Sequence, residues 1–350
     1  MSHRCITSLS TLGTVIAIVS LAPSPVAGQA PRASFAAADA WTLPRTPDGQ
    51  PDLQGIWANN NATPLQRPEE LAGKQVLTDE EVATLKERAT QLFHDDAGDA
   101  AFGDSVFQAA LADTEDFTST DAGTGNYNHF WLVERDFDNR TSLVVDPPDG
   151  RIPPLTPEGQ QRADALSATR RRPADGPEDR SLSERCISFG VPRLGAGYNS
   201  YYQILQTPGY VVIFMETIHD ARVIPLDGRP HISQNIRQWH GDPRGHWEGD
   251  TLVVDTTNYS PKSYLRGSAE NLHVVERFTR VGPHTISYEI TVDDPTTWTN
   301  AWTAMILLKK TEDSIFEFAC HEGNIGMEGI LSGARAQEKA AAEAAETESR

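Results

Sequence analysis

The sequence predicts a mainly β protein: an antiparallel β-barrel or sandwich of the lipocalin-like (calycin) type, preceded by a helical and irregular N-terminal segment. Short apolar and β-branched runs recur throughout residues 198–319, and most of them have strand-like length. Turn sequences such as Pro208-Gly209, Asp227-Gly228 and Gly282-Pro283 separate these runs. An open meander of this length would expose unpaired edges, so we expect a closed barrel or two packed sheets.

The first 28 residues have the pattern of a secretory signal peptide. Arg4 supplies a positive charge, an apolar stretch follows from Leu9 to Ala22, and small residues end the segment at Val26-Ala27-Gly28. The apolar stretch is short for a membrane-spanning helix, although an uncleaved anchor is the alternative. We therefore expect a periplasmic or secreted protein without stable membrane insertion.

The mature chain divides into four segments by composition. Residues 29–40 are predicted to be a mobile leader, and 41–126 a helical and loop segment with a short helix near residues 106–111. Within that segment Thr78 and Glu81 form a capping box, which predicts a helix from Asp79 to Phe93. Residues 127–333 are predicted to be the antiparallel β domain, with one helix opening at Thr156-Pro157. Residues 334–350 are an Ala/Glu-rich tail.

The charge balance narrows the possible partners. The chain has 49 acidic and 30 basic residues, for a formal net charge of −19. A surface this acidic repels nucleic-acid phosphates and anionic membranes. We therefore expect a small-molecule substrate or ligand, with the oligomeric state left open.

Signal cleavage would remove Cys5 and leave two cysteines, Cys186 and Cys320. In an oxidising compartment two distant cysteines predict one disulfide. A free nucleophilic thiol is the alternative.

Four runs in this chain resemble a widespread group of secreted bacterial proteins that have no assigned activity. They are Pro51–Trp57, Arg185–Arg193, Gly245–Asp255 and Cys320–Asn324. The resemblance extends from about Trp41 to Arg335. The third run, with the strands after it, is also similar to the second half of lipocalin-like barrels.

Candidate catalytic residues lie in two histidine–carboxylate clusters. Glu216 and His219 end one apolar run, and His321 and Glu322 follow Cys320. Histidine exchanges protons near neutral pH, and a neighbouring carboxylate can orient it or act as the acid. Further polar and aromatic residues are predicted to bind substrate: Arg222, Tyr201, His240, Trp239, Tyr127 and His129.

Several familiar motifs are missing from the sequence. There is no His-Glu-x-x-His, Cys-x-x-Cys, Gly-x-Ser-x-Gly or P-loop pattern, and no complete dinucleotide fingerprint. We therefore expect no cofactor and no metal. A metal site assembled from His219, His321 and a carboxylate is the alternative.

These residues favour a secreted enzyme that uses histidine–carboxylate acid–base chemistry in a β-barrel cavity, as a lyase, isomerase, hydratase or hydrolase. A periplasmic binding protein for a small ligand and a structural envelope protein are the alternatives. An enzyme should place titratable groups within hydrogen-bond reach of each other beside a cavity. A binding protein should instead have an apolar cavity with few titratable groups.

Overall fold

The computed structural model describes residues 41–94, 101, 103–114, 117, 135–190, 192–197, 199–263 and 265–348. The predicted signal peptide, the leader, Tyr127 and His129 lie outside these ranges.

One antiparallel sheet dominates the structure, and the mainly β prediction is confirmed. Its strands run in the order β5-β4-β3-β1-β10-β9-β8-β7-β6, with β2 pairing beside β10. The strands are β1 (Gly55–Ala58), β2 (Val144–Asp146), β3 (Tyr201–Thr207), β4 (Tyr210–Met215), β5 (Ala221–Pro225), β6 (Asp242–Glu248), β7 (Thr251–Thr257), β8 (His273–Gly282), β9 (Thr285–Asp293) and β10 (Trp302–Thr311).

The alternation of buried and less buried residues along the strands explains which side chains form the core. In β10 every second residue from Trp302 to Leu308 is buried, and β9 buries Ile286, Tyr288, Ile290 and Val292 in the same way. Successive side chains of a strand point to opposite faces, so these residues share one face. That face, with Trp57 of β1, forms the main hydrophobic core.

The two outermost strands of the sheet, β5 and β6, lie against each other through side chains. A Cβ atom at Gly245 of β6 would lie 2.7 Å from the side chains of Ile224 and Leu226. Only glycine permits so close an approach of the backbone.

The strands differ from the apolar runs of the sequence in three places. Residues 315–318, the last of those runs, form no strand, whereas β1 and β6 are strands without a long apolar run of their own. β1 has only four residues, so it carries little periodicity of its own and is defined by pairing with β3 and β10. β6 contains Pro243, which is tolerated because β6 is the last strand of the sheet order.

The helices follow their sequence signals closely. Helix α1 (Asp79–Leu92) has the predicted capping box, and α2 (Ser105–Ala112) packs with it in a second, smaller core. Helix α3 (Pro157–Arg171) is capped by the Thr156 hydroxyl, and α4 (Ile325–Glu348) ends the described chain. No described helix combines the length and apolarity needed to cross a membrane.

The predicted disulfide between Cys186 and Cys320 is present, with the Cα atoms 5.6 Å apart. Close by, the Asn324 side-chain amide donates to the Glu184 carbonyl at 3.0 Å. Farther along α4, Arg335 donates to the carbonyls of Ala174 and Asp175. These bonds attach α4, as far as Arg335 in the predicted tail, to residues 174–186.

Candidate functional site

A strained turn joins β4 to β5 and separates two of the predicted catalytic residues. Ile218 and His219 have φ values of 57° and 46°, in the left-handed region. A β-branched residue in this region is an outlier, and such strain tends to occur at functional sites. The turn places Glu216 in the interior, 3 % exposed, and leaves His219 exposed to solvent.

The predicted histidine–carboxylate pairs are not joined. The His219 backbone N–H donates to the Glu216 carbonyl at 3.1 Å, but among the described residues no side-chain hydrogen bond connects His219 with Glu216 or His321 with Glu322. His321 and Glu322 are both exposed. The described part of the chain also has no group of three histidine, cysteine or acidic residues placed to hold a metal.

Arg222 occupies a different environment from the one expected of a substrate-binding residue. It is buried in the core, where Nη1 donates to Glu276 Oε1 at 2.9 Å and Nη2 donates to Oε2. The Tyr288 hydroxyl also donates to Glu276, at 2.5 Å. Burial alone would lower the pKa of Arg222, but the Glu276 carboxylate outweighs it and raises that pKa. Arg222 is thus a structural partner of Glu276.

Tyr201, another predicted binding residue, begins β3 close to Glu216, whose backbone N–H donates to its carbonyl at 3.0 Å. Burial raises the pKa of the Tyr201 phenol, and the nearby Asp313 and Glu216 add to this effect.

A cavity of about 110 Å³ lies where the chain around the disulfide meets the loop before β6. An enclosed apolar cavity of about 150 Å³ can hold benzene, so this volume suits a small molecule or one group of a larger one. Phe189 and Trp239 are 44 % and 40 % exposed, so both are accessible from solvent. The lining is mostly apolar with several hydroxyls: Ser181, Leu182, Ser183, Ser188, Phe189, Gly190, Trp239, Tyr259, Ser263, Leu265 and Leu272.

Ser188 lines this cavity and contacts His240, which lies beside Asp220 behind the lining. The Ser188 Oγ atom lies 2.8 Å from His240 Nε2, and the Gly190 N–H donates to the same Oγ at 2.9 Å. Because Oγ accepts from Gly190, its own proton is available to donate to His240. Asp220 Oδ2 lies 3.2 Å from the same Nε2 atom, close enough for a charge interaction but outside hydrogen-bond geometry.

This arrangement can activate a hydroxyl, but it differs from a Ser-His-Asp triad. In the triad the carboxylate contacts Nδ1, whereas here Ser188 and Asp220 both face Nε2 of His240. Asp220 is therefore placed to stabilise the imidazolium that forms when His240 takes the serine proton. Proton transfer from a hydroxyl to an adjacent imidazole is the first requirement of nucleophilic catalysis by serine.

The fold, rather than a local motif, assembles these three residues. Asp220 follows the strained turn, His240 ends the loop before β6, and Ser188 comes two residues after Cys186 of the disulfide. The sequence identified His240 and Trp239 as binding candidates, but no Gly-x-Ser-x-Gly elbow surrounds Ser188. The proximity of the disulfide was the only sequence feature that could have drawn attention to Ser188.

One histidine binds the loop that carries Trp239 and His240 to the sheet, and a second shares its carboxylate partner. His231 lies between Asp242 and Asp255, with its ring nitrogens 3.1 and 2.9 Å from their carboxylates. His273 contacts the other oxygen of Asp255 at 2.9 Å.

The contact between His273 and Asp255 makes the free energy of unfolding depend on pH. The hydrogen bond to Asp255 raises the pKa of His273 despite partial burial. A histidine whose pKa is higher in the folded than in the unfolded state stabilises the fold. The stabilisation is complete below the pKa of the unfolded state, about 6.5, and is lost as the pH rises through the pKa of the folded state. Asp255, whose pKa is lowered chiefly by the His273 hydrogen bond, contributes above about pH 4 and loses its contribution on acidification.

We therefore expect wild type to lose more stability between pH 6 and pH 8 than the His273→Gln variant. Urea midpoints measured at both values check this. Equal losses in the two proteins would show that the pair does not titrate in this range.

Comparison of the chain with known proteins gives no match that would indicate its function. No protein-family model matches the chain, and no curated protein matches its sequence. The site has to be interpreted from its own geometry.

Proposed function

We propose that the protein is an enzyme of the hydrolase type, acting on a small, largely apolar ester or amide bound in the cavity. Ser188 would be the nucleophile, His240 the general base, and Asp220 the carboxylate that stabilises the protonated imidazole. The observation that carries this proposal is the 2.8 Å contact between Ser188 and His240 beside a cavity.

The lining of the cavity supports the choice of substrate. Leu182, Phe189, Trp239, Leu265 and Leu272 supply most of the apolar wall, and this favours an apolar group. The histidine and carboxylate stand within 3.2 Å of each other, as acid–base chemistry requires and a simple apolar carrier does not.

We also propose that the protein is exported. The signal-like N-terminal pattern and the Cys186–Cys320 disulfide support this, because disulfides persist in oxidising compartments.

A binding protein for a small apolar ligand is the second candidate. It is favoured by the exposed Trp239 and Phe189 side chains and by the small volume of the cavity. A ligand that quenches tryptophan fluorescence but is never turned over would support it.

Covalent labelling tests the enzyme. We expect a fluorophosphonate probe to phosphonylate wild type at Ser188, with fluoride leaving, and Ser188→Ala not to react. His240→Gln should react at least about a hundredfold more slowly, since general-base assistance is worth that much. Asp220→Asn should cost roughly tenfold, equivalent to about 1.4 kcal/mol of charge stabilisation. Intact mass and peptide mapping give the rates and the modified residue.

His219→Gln is the matched control. The His219 side chain is exposed and only its backbone N–H makes a described hydrogen bond, so replacing the side chain should leave labelling unchanged. Labelling that persists in Ser188→Ala, or that depends on His219 rather than His240, would refute the assignment.

A further inference from the structure

Buried polar atoms without hydrogen-bond partners are concentrated at one end of strands β1, β3 and β4, on residues that do not line the cavity. More than half of all such side-chain atoms in the described part of the chain lie there. Native proteins pair nearly all buried polar groups, so a group of exceptions needs an explanation. We call these residues the polar cluster: Asn59, Asn60, Arg135, Asn199, Ser200 and Glu216.

Backbone and side-chain bonds bring the polar cluster together. The Asn59 N–H donates to the Ser200 carbonyl at 2.9 Å, and the Asp136 N–H, next to Arg135, donates to the Asn60 carbonyl at 2.8 Å. The Asn199 side-chain amide donates to Glu216 Oε1 at 2.6 Å. Asn59, Ser200 and Glu216 are each at most 3 % exposed. The unpaired atoms therefore belong to one buried region.

Arg135 is the most unusual member of the polar cluster. All three of its guanidinium nitrogens are buried without a hydrogen-bond partner, and no ion pair of Arg135 is present among the described residues. Burial, and then repulsion from nearby Arg193, lowers the pKa of Arg135 to about 10. A buried cation without a counter-charge is strongly unfavourable, so its retention points to an anion that completes the site.

The other unpaired atoms specify more than a charge. Asn59 Nδ2 is a donor, Asn60 Oδ1 and Asn199 Oδ1 are acceptors, and Ser200 Oγ can be either. A bare inorganic anion would satisfy the donors but leave the acceptors unpaired. A ligand with both a carboxylate and hydroxyl groups would satisfy both kinds.

We propose that the polar cluster binds a small hydroxylated carboxylate, of the hydroxy-acid or sugar-acid type. The guanidinium of Arg135 receives the carboxylate in its planar fork, and the asparagine amides and Ser200 contact the hydroxyls. This site does not rest on the hydrolase proposal, since none of its residues lines the cavity.

Glu216 is compatible with an anionic ligand. Burial raises the pKa of its carboxyl group, although hydrogen bonds from the Asn199 amide and the Phe316 backbone and the nearby Arg193 favour the charged form. When protonated, this carboxyl group would donate a hydrogen bond to the ligand instead of repelling it.

Thermal unfolding of the full-length protein tests the proposal with glycolate, lactate and D-gluconate as probes. Acetate, inorganic phosphate and chloride, at matched ionic strength, are the comparison anions. We expect the three hydroxy acids to raise the unfolding midpoint of wild type above the chloride value, and to raise it more than acetate or phosphate do. In Arg135→Met the apparent affinity for each hydroxy acid should fall at least about tenfold.

A second measurement on the same variant distinguishes a ligand-binding role of Arg135 from a structural one. Without the probes, Arg135→Met should unfold at the same or a higher temperature than wild type, because it removes an unpaired buried charge. Arg140→Met is the matched control: Arg140 is paired with Asp138 and donates to the Met305 carbonyl at 2.7 Å, so its loss should lower the midpoint.

Three results would overturn the proposal. One is a wild-type midpoint that no hydroxy acid raises above the chloride value. Another is a phosphate shift as large as the hydroxy-acid shifts, which would remove the case for a carboxylate. The third is an Arg135→Met variant that keeps the shift, or that loses stability as Arg140→Met does.

Discussion

Replacing Glu276 with leucine is expected to lower the free energy of unfolding by about 3–5 kcal/mol. Glu276 is fully buried, and it is the hydrogen-bond partner of both Arg222 and the Tyr288 hydroxyl. Its removal leaves the guanidinium of Arg222 in the core without a counter-charge. Urea denaturation should show a lower midpoint with an unchanged slope, because the folded surface stays the same.

The double variant Arg222→Met/Glu276→Leu is the control for that result. It removes both charges and keeps similar side-chain volumes, so it should recover much of the lost stability. If the double variant were as unstable as the single one, apolar packing or the lost Tyr288 hydrogen bond, and not the unpaired charge, would be the cause.

Removing the disulfide is the second change with a large expected effect. The double variant Cys186→Ser/Cys320→Ser should lose about 3–5 kcal/mol of unfolding free energy, since the bond closes a loop between residues 134 positions apart. The loss arises mainly because the unfolded chain regains conformational freedom. Urea denaturation of the variant beside oxidised wild type measures it.

Reduction distinguishes the cross-link from the serine side chains. Wild type treated with a thiol reductant should match the variant in stability, and the variant itself should not respond to the reductant. A reduced wild type that keeps its oxidised midpoint would contradict a stabilising role for the bond. Fluorophosphonate labelling should also slow in the variant, because Cys186 lies two residues before Ser188.

Local signals in the sequence predicted the helices and most strands. The Thr78–Glu81 capping box and the Thr156-Pro157 start are contained within a few residues, so helices α1 and α3 begin where predicted. The alternation of apolar residues in β9 and β10 likewise depends only on neighbouring positions. By contrast, β1 was missed because its partners, β3 and β10, are distant in sequence. β6 pairs with the adjacent β7 but was missed because Pro243 and Gly245 disfavour a strand.

The candidate site likewise depends partly on local sequence and partly on contacts between distant residues. The sequence alone determined the acidic charge and the β-rich class, because composition and short-range periodicity carry this information. Only the tertiary structure decided that His219 faces solvent, that Arg222 pairs with Glu276, and that Ser188 meets His240. The physical reason is that contacts between residues 52 or 54 positions apart depend on strand order and on a left-handed turn at Ile218, which no local pattern encodes.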